Sequence, residues 1–263
     1  MKIGVTQIIL GKMSLDDTLD LCQEAGYDAI ELVFSPDKDL NVEMSDQELK
    51  TVGDRCAQAG VTVTSVIAQY AERGNLLSRD QQQRAFGRRA VERSLQIASV
   101  LEAGATLLHP GQLTSQGTYD EAWDDLCDVL RSLASTAENA GVAIGLENVW
   151  NKFMLSPREA VQLVDEVGSE WVGIYLDTAN MMAYGHPEQW IRALGSRIKR
   201  VHVKDFDRSG HAFVELLDGD AEWPTIMSEL RAADYDVSLI HEVSGDRAVQ
   251  IRMGERLRRI VAL

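Results

Sequence analysis

Four side chains in the second half of the chain stand at the ends of short apolar runs. Glu147 closes residues 143–147, Asp177 closes 172–177, His202 closes 198–202 and Glu242 closes 237–242. Any one of them alone reads as a helix cap, a rim ion pair or, for His202, a satisfied core histidine. Their shared context changes that reading. Each comes at the end of a run rich in Val, Ile or Leu, where a charge is costly unless it is paired or coordinated. Three carboxylates and one imidazole, brought together, make a site for one divalent cation. Hard oxygen donors with a single imidazole suit Mn²⁺ foremost, with Mg²⁺, Co²⁺ or Zn²⁺ as alternatives. No cysteine stands near these positions, so the structural-zinc pattern is missing.

Such a site has a definite chemistry. A carbon beside a carbonyl releases a proton only when the charge left on oxygen is stabilised, and a divalent cation does this as a Lewis acid. A carboxylate of tuned pKa removes the proton. Inversion needs a second acid on the opposite face, and Glu147 with Glu242 supplies the pair. The same groups serve epimerisation, a 1,2-isomerisation, or a β-elimination if the neighbouring oxygen departs.

These residues must be carried to one place by the elements before them. Strand-like runs at 2–6, 28–33, 61–67 and 106–109 precede the four already given, and amphipathic segments alternate with them. Eight units in 263 residues come to about 33 residues each, a comfortable βα repeat. A doubly wound sheet also alternates, but no GxGxxG or GxxxxGK[ST] follows an early strand. In a barrel every parallel strand delivers its C-terminal end to the same rim. The expectation is therefore an α/β fold, a (β/α)8 TIM barrel, with residues 1–263 as one domain.

Helix punctuation agrees. Ser45 with Glu48 and Thr118 with Glu121 have capping-box spacing, and Pro157 follows Ser156 as a first-turn proline. Gly26, Gly60, Gly104 and Gly141 fall where helices should stop. Leu126, Leu130 and Leu133 recur at helical spacing as core. Cys22, Cys56 and Cys127 read as reduced, buried fillers.

Composition bounds the partners. Hydrophobic residues make up 45% of the chain and the net charge is −15. That field repels a phosphate backbone, so nucleic acid is excluded, and a membrane surface with it. The N-terminal apolar run is too short for a signal peptide, which leads to a cytoplasmic expectation. Glu31, within the second strand, reads either as a partner behind a ligand or as a buried, satisfied carboxylate. Trp150, Asn151 and Phe153 follow Glu147 and read as a wall of the pocket, with plain packing or a subunit contact as the alternatives for the aromatics. His241 neighbours Glu242, so strand alternation should turn it away from the interior. Lys204 and Asp205 have the spacing of a rim ion pair.

The segments GLENVWNKFMLSP, YLDTAN, VHVKDFDR and IHEV resemble the sugar phosphate isomerase/epimerase superfamily, whose fold is the xylose isomerase-like barrel. The 107–111 run, the 74–76 loop and the stretch from Phe213 to Trp223 are similar too. The resemblance implies that Glu147, Asp177, His202 and Glu242 hold the metal and that both glutamates act as acid and base, as in ketose 3-epimerases. It implies that Arg208, six residues after the histidine, contacts substrate oxygens. His109, Asn180 and Lys204 are further substrate-binding candidates. Two positions depart from the free-sugar 3-epimerases, which carry a glutamate where Phe153 stands and a histidine where Asn180 stands. The implied substrate is a ketose or ketose phosphate. A lyase or dehydratase acting on a keto-sugar, 3-keto-glycoside or inosose is the alternative. The partners expected are a small-molecule carbohydrate and, since such barrels often pair, a second copy of the chain.

Overall fold

Every apolar run becomes a strand covered on both sides, as parallel strands require. In the computed structural model, which describes residues 1–263, the strands are β1 (Lys2–Thr6), β2 (Ala29–Phe34), β3 (Thr62–Ala68), β4 (Ala105–Leu108), β5 (Ala143–Glu147), β6 (Val172–Asp177) and β7 (Ile198–Val203). A short antiparallel hairpin, β8 (Asp205–Asp207) with β9 (Ala212–Val214), precedes β10 (Ser238–His241). The barrel closes in the order β1-β10-β7-β6-β5-β4-β3-β2, with all neighbours parallel. The expected TIM barrel is present. The β8–β9 hairpin is an addition that the eight-unit pattern did not contain.

Eight helices alternate with the strands: α1 (Leu15–Ala25), α2 (Asp46–Gln58), α3 (Gln81–Val100), α4 (Tyr119–Ala140), α5 (Pro157–Val167), α6 (Pro187–Leu194), α7 (Trp223–Ala232) and α8 (Arg247–Val261). Ser45 and Thr118 form the expected capping boxes, and Ser156 forms a third with Glu159 ahead of Pro157. Gly26 and Gly141 end their helices in the left-handed region. Gly104 does not cap anything. The left-handed residue after α3 is Glu102, and Gly104 makes room for Arg200, whose Nη2 would lie 2.5 Å from a Cβ there.

Two apolar layers result. A large core, including Leu126, Leu130 and Leu133, fills the space between sheet and helices. Inside the barrel Val33, Ile67, Leu107 and Tyr175 form a separate plug. The three cysteines are buried and unpaired. No helix is long and apolar enough to cross a membrane.

Two register slips place polar groups on this framework. Between β2 and β3 the pairing jumps from Ile30–Val63 to Glu31–Ser65. Between β6 and β7 it jumps from Ile174–Ile198 to Tyr175–Arg200, which brings Asp177 level with His202. Without that extra residue Asp177 would pair with Val201, one step away and on the wrong face.

Candidate metal centre

The interior above the plug is built from strand ends. His202 points inward from β7 and is level with Asp177 on one side and Ile240 on the other. Strand alternation from Ile240 turns His241 outward and returns Glu242 to the interior. Glu242 stands one residue past β10, not within it as expected, yet its N–H still donates to the Val203 carbonyl at 3.2 Å. Glu147 ends β5 level with Tyr175.

The expected quartet converges. One ligand atom each from Glu147, Asp177, His202 and Glu242 lies within 4.8 Å of the others. Two ligands across one ion at about 2.1 Å each stand about 4.2 Å apart, so the cluster has the size of a single-ion site. His202 Nδ1 is 3.2 Å from Glu147 Oε1 and 3.6 Å from Glu242 Oε2. Asp177 offers the sharpest test of fit. Its Oδ1 accepts the Ala179 and Asn180 amides at 2.9 and 2.7 Å. Its Oδ2 is buried without a hydrogen-bond donor aligned to it, although the Lys204 ammonium lies 3.0 Å away. A buried carboxylate oxygen left this way is a poor arrangement for a purely structural residue. It suits one that gives its lone pair to a cation, and the donor set fits the group.

Behind His202, Glu31 resolves the two readings of that residue. Its Oε1 is 3.0 Å from His202 Nε2 and accepts the Thr6 hydroxyl at 2.7 Å, while Oε2 accepts the Ser65 hydroxyl at 2.7 Å. It is thus both buried and satisfied, and it holds the imidazole nitrogen that faces away from the cluster. A carboxylate in that position fixes the tautomer that leaves Nδ1 free to ligate.

Charge is concentrated here. Burial pushes the Glu147 carboxyl up to about 7, and Glu242 and Asp177 add to the push against the relief from His202. Burial alone would push His202 down, but Glu31, Glu147 and Glu242 overcome it and hold its proton well above the usual histidine range. Burial would likewise raise Glu31, but the His202 charge and the three donors hold it low. Desolvation opposes the Lys204 charge, yet Asp177, Glu242 and Glu147 keep it firmly protonated.

The other candidate residues are placed as follows. Lys204 Nζ is 2.9 Å from Glu242 Oε2, inside the cluster. It does not pair with Asp205, whose buried carboxylate accepts the Phe206, Leu217 and Ala221 amides and Trp223 Nε1. Asp205 therefore organises the loop after the hairpin, and not the rim ion pair that its spacing from Lys204 led one to expect. Asn180 Nδ2 donates to the Asn148 carbonyl at 2.9 Å. Asn148 pairs in turn with the Asp177 backbone through Oδ1 and Nδ2, at 2.8 and 3.0 Å. Asn148 was missed by sequence reasoning, although it directly follows Glu147.

Arg208, at the tip of the hairpin, is not drawn to the cluster. Its guanidinium donates to the carbonyls of Met182 and Gly185. His109 lies just past β4, exposed, with Nδ1 accepting the Gly111 amide at 3.0 Å. Phe153 does not wall the pocket. It is buried against Tyr119 and Trp123, at centroid distances of 5.1 and 5.8 Å. His241 faces outward as expected, 2.8 Å from the Tyr27 hydroxyl.

A family model described as the xylose isomerase-like TIM barrel matches residues 19–260. The chain belongs to that family. The D-psicose 3-epimerase of Enterocloster bolteae is 32% identical over 117 residues, which are 43% of this chain and 37% of that protein. The curated relatives that the chain matches are covered over about half their length or less, 49% and 37%. The solved structure of a D-tagatose 3-epimerase-like protein superposes with a TM-score of 0.84 at 20% identity, covering 100% of this chain and 97% of that one. The IOLI protein with a bound zinc atom gives 0.82 at 19%, covering 100% and 98%. At such identities the likeness speaks for the fold.

Proposed function

We propose that the protein is a metal-dependent isomerase/epimerase that moves a proton at the carbon beside the carbonyl of a ketose, in the manner of a 3-epimerase. The observation that carries this reading is the placement of two glutamates in one cation cluster on strands three places apart in an eight-strand ring. Glu147 on β5 and Glu242 after β10 approach the centre from different sides, with His202 Nδ1 between them.

Glu147, Asp177, His202 and Glu242 would hold the ion, for which Mn²⁺ is proposed, with Mg²⁺, Co²⁺ or Zn²⁺ as substitutes. When bound, a divalent cation stabilises the negative charge that proton loss leaves on the substrate oxygens. Glu147, buried and raised toward neutrality, suits proton exchange with a weakly acidic carbon. Glu242 faces the same centre across it and returns a proton to the other side. Asp177, pinned through Oδ1, and His202, pinned through Nε2, keep the geometry. Lys204 and His109 are proposed to meet substrate oxygens. Asn180 is proposed to support that face through its backbone. Arg208, held on carbonyls, is proposed to keep the loop over the site in place.

The test is NMR in D₂O with Mn²⁺-loaded protein and a panel of ketoses. Deuterium should enter at the carbon beside the carbonyl. Glu147→Gln and Glu242→Gln should each reduce exchange by about a hundredfold or more, with metal content and thermal unfolding measured alongside. Exchange at the original rate in either variant would refute a two-glutamate mechanism. Appearance of a conjugated enone would instead mark elimination.

A further inference from the structure

The mouth of the barrel carries two large aromatic rings in water. Trp150 is 45% exposed and Phe213 44% exposed, and they lie nearly parallel with centroids 5.1 Å apart and planes 29° apart. Exposed aromatics of this size usually lose their surface to packing, so a fixed pair left open calls for an occupant.

The pair is rigid. Trp150 Nε1 donates to the Asn180 carbonyl, and the Phe206 ring, fully buried, meets Trp150 edge-on at 6.2 Å and Phe213 at 5.5 Å. It is also continuous with the metal centre. The Lys204 ammonium sits 5.0 Å from the Phe213 centroid and 2.9 Å from Glu242 Oε2, so one side chain touches both. A molecule whose reacting end lies among the four ligands has its far end at the rings.

We infer that Trp150 and Phe213 form a stacking subsite for the C–H face of an uncharged sugar unit, and that they select a neutral saccharide over a phosphorylated one. This deepens the proposed function and rests on it. Charge argues for the selection as firmly as shape. Glu31, Glu147, Asp177 and Glu242 are four buried or nearly buried carboxylates in one site. Among them the Lys204 ammonium is already held by two carboxylates, 3.0 Å from Asp177 Oδ2 and 2.9 Å from Glu242 Oε2. The nearby guanidinium of Arg208 is engaged by the Met182 and Gly185 carbonyls. A phosphate dianion would have to draw Lys204 or Arg208 away from these partners, whereas the weakly polar C–H face of a pyranose or furanose suits aromatic faces.

The test uses probes that bind without reacting. Sucrose and sucrose 6-phosphate, whose ketose carbonyls are both locked as glycosides, are titrated into the Mg²⁺-loaded protein and followed by tryptophan fluorescence. Sucrose should bind about tenfold tighter than the phosphate, and Phe213→Ala or Trp150→Ala should weaken sucrose about tenfold. Trp150→Phe, which keeps a ring but not the indole N–H, should restore most of the binding and guards against misfolding of the alanine variant. Tighter binding of the phosphate, no sucrose binding, or unchanged sucrose affinity in a folded Phe213→Ala overturns the subsite. Deuterium exchange on free ketoses reports separately on the proton-transfer reading. Exchange without sucrose binding removes only the subsite, and sucrose binding without exchange removes only the epimerase chemistry.

Discussion

Glu31 Oε1 and His202 Nε2 face each other at 3.0 Å inside the barrel, and neither side chain has any exposure. The carboxylate is saturated by Thr6, Ser65 and the imidazole, so it cannot turn toward the cluster to ligate. Its effect must pass through the histidine. Glu31→Gln keeps the shape and removes the charge. Divalent-cation affinity should fall by about ten- to a hundredfold, read as free Mn²⁺ by electron paramagnetic resonance. Equal affinity in the variant would mean that the pair serves packing alone.

Lys204 should act in the opposite sense. Its ammonium is 3.0 Å from Asp177 Oδ2 and 2.9 Å from Glu242 Oε2, which holds mutually repelling carboxylates together and competes with a cation for the same oxygens. In Lys204→Gln the chelator-treated protein should melt at a lower temperature. Its Mn²⁺ affinity should rise, by about tenfold for a unit charge removed at this distance in a partly screened site. Calorimetric titration and thermal unfolding measure the two. A fall in both would make Lys204 a structural brace only.

Stability of the chelator-treated protein should depend on pH from both sides. Glu147 titrates at about 7 in the fold and at 4.5 when free, so the folded state keeps a proton that the unfolded chain has released. His202, raised by its carboxylate neighbours, stabilises the fold while protonated and loses that contribution as pH climbs through its elevated folded pKa. Both effects lower stability as pH rises. His241 works at the acid end. Burial, with the His202 charge adding, depresses it to about 3 from 6.5, so the unfolded chain takes up a proton that the fold cannot, and stability falls between those values. Unfolding temperatures across pH 4–9 should pass through a maximum. Adding Mn²⁺ should flatten the alkaline limb, because the cation replaces the protons. A steady rise above pH 7 without metal would contradict the assignment.

Arg208 ties the β8–β9 hairpin to the loop after β6 through the Met182 and Gly185 carbonyls. Arg208→Ala should loosen that seam, raising KM at least about threefold with a smaller change in kcat, since no reacting group moves. Faster amide exchange in residues 205–214 should accompany it. An unchanged KM would separate the seam from substrate binding.

The chain's pattern carried much of this architecture. Runs of Val, Ile and Leu alternating with capped amphipathic segments suffice for a parallel barrel, because burial on both faces of a strand and on one face of a helix is written locally. Glu147, Asp177, His202 and Glu242 were legible for the same reason: a charge at the end of an apolar strand needs a partner. Residues whose roles depend on distant neighbours were not. Asn148 and Asp205 look like ordinary loop polars until the Asp177 backbone and the Trp223 indole are seen against them. Phe153 read equally as pocket wall or packing until Tyr119 and Trp123 closed over it.

Local sequence thus determined which segments become strands and which side chains demand neutralisation. Tertiary structure decided their register. Lys199, left unpaired on β7 opposite the step from Ile174 to Tyr175, sets Asp177 beside His202, and Thr64, left unpaired on β3 opposite the step from Ile30 to Glu31, sets Glu31 beside Ser65. A strand exposes alternate residues to opposite faces, so a slip of one position moves a carboxylate from the barrel interior to the helix layer. That choice is made by the closing of the whole sheet, and no single segment contains it.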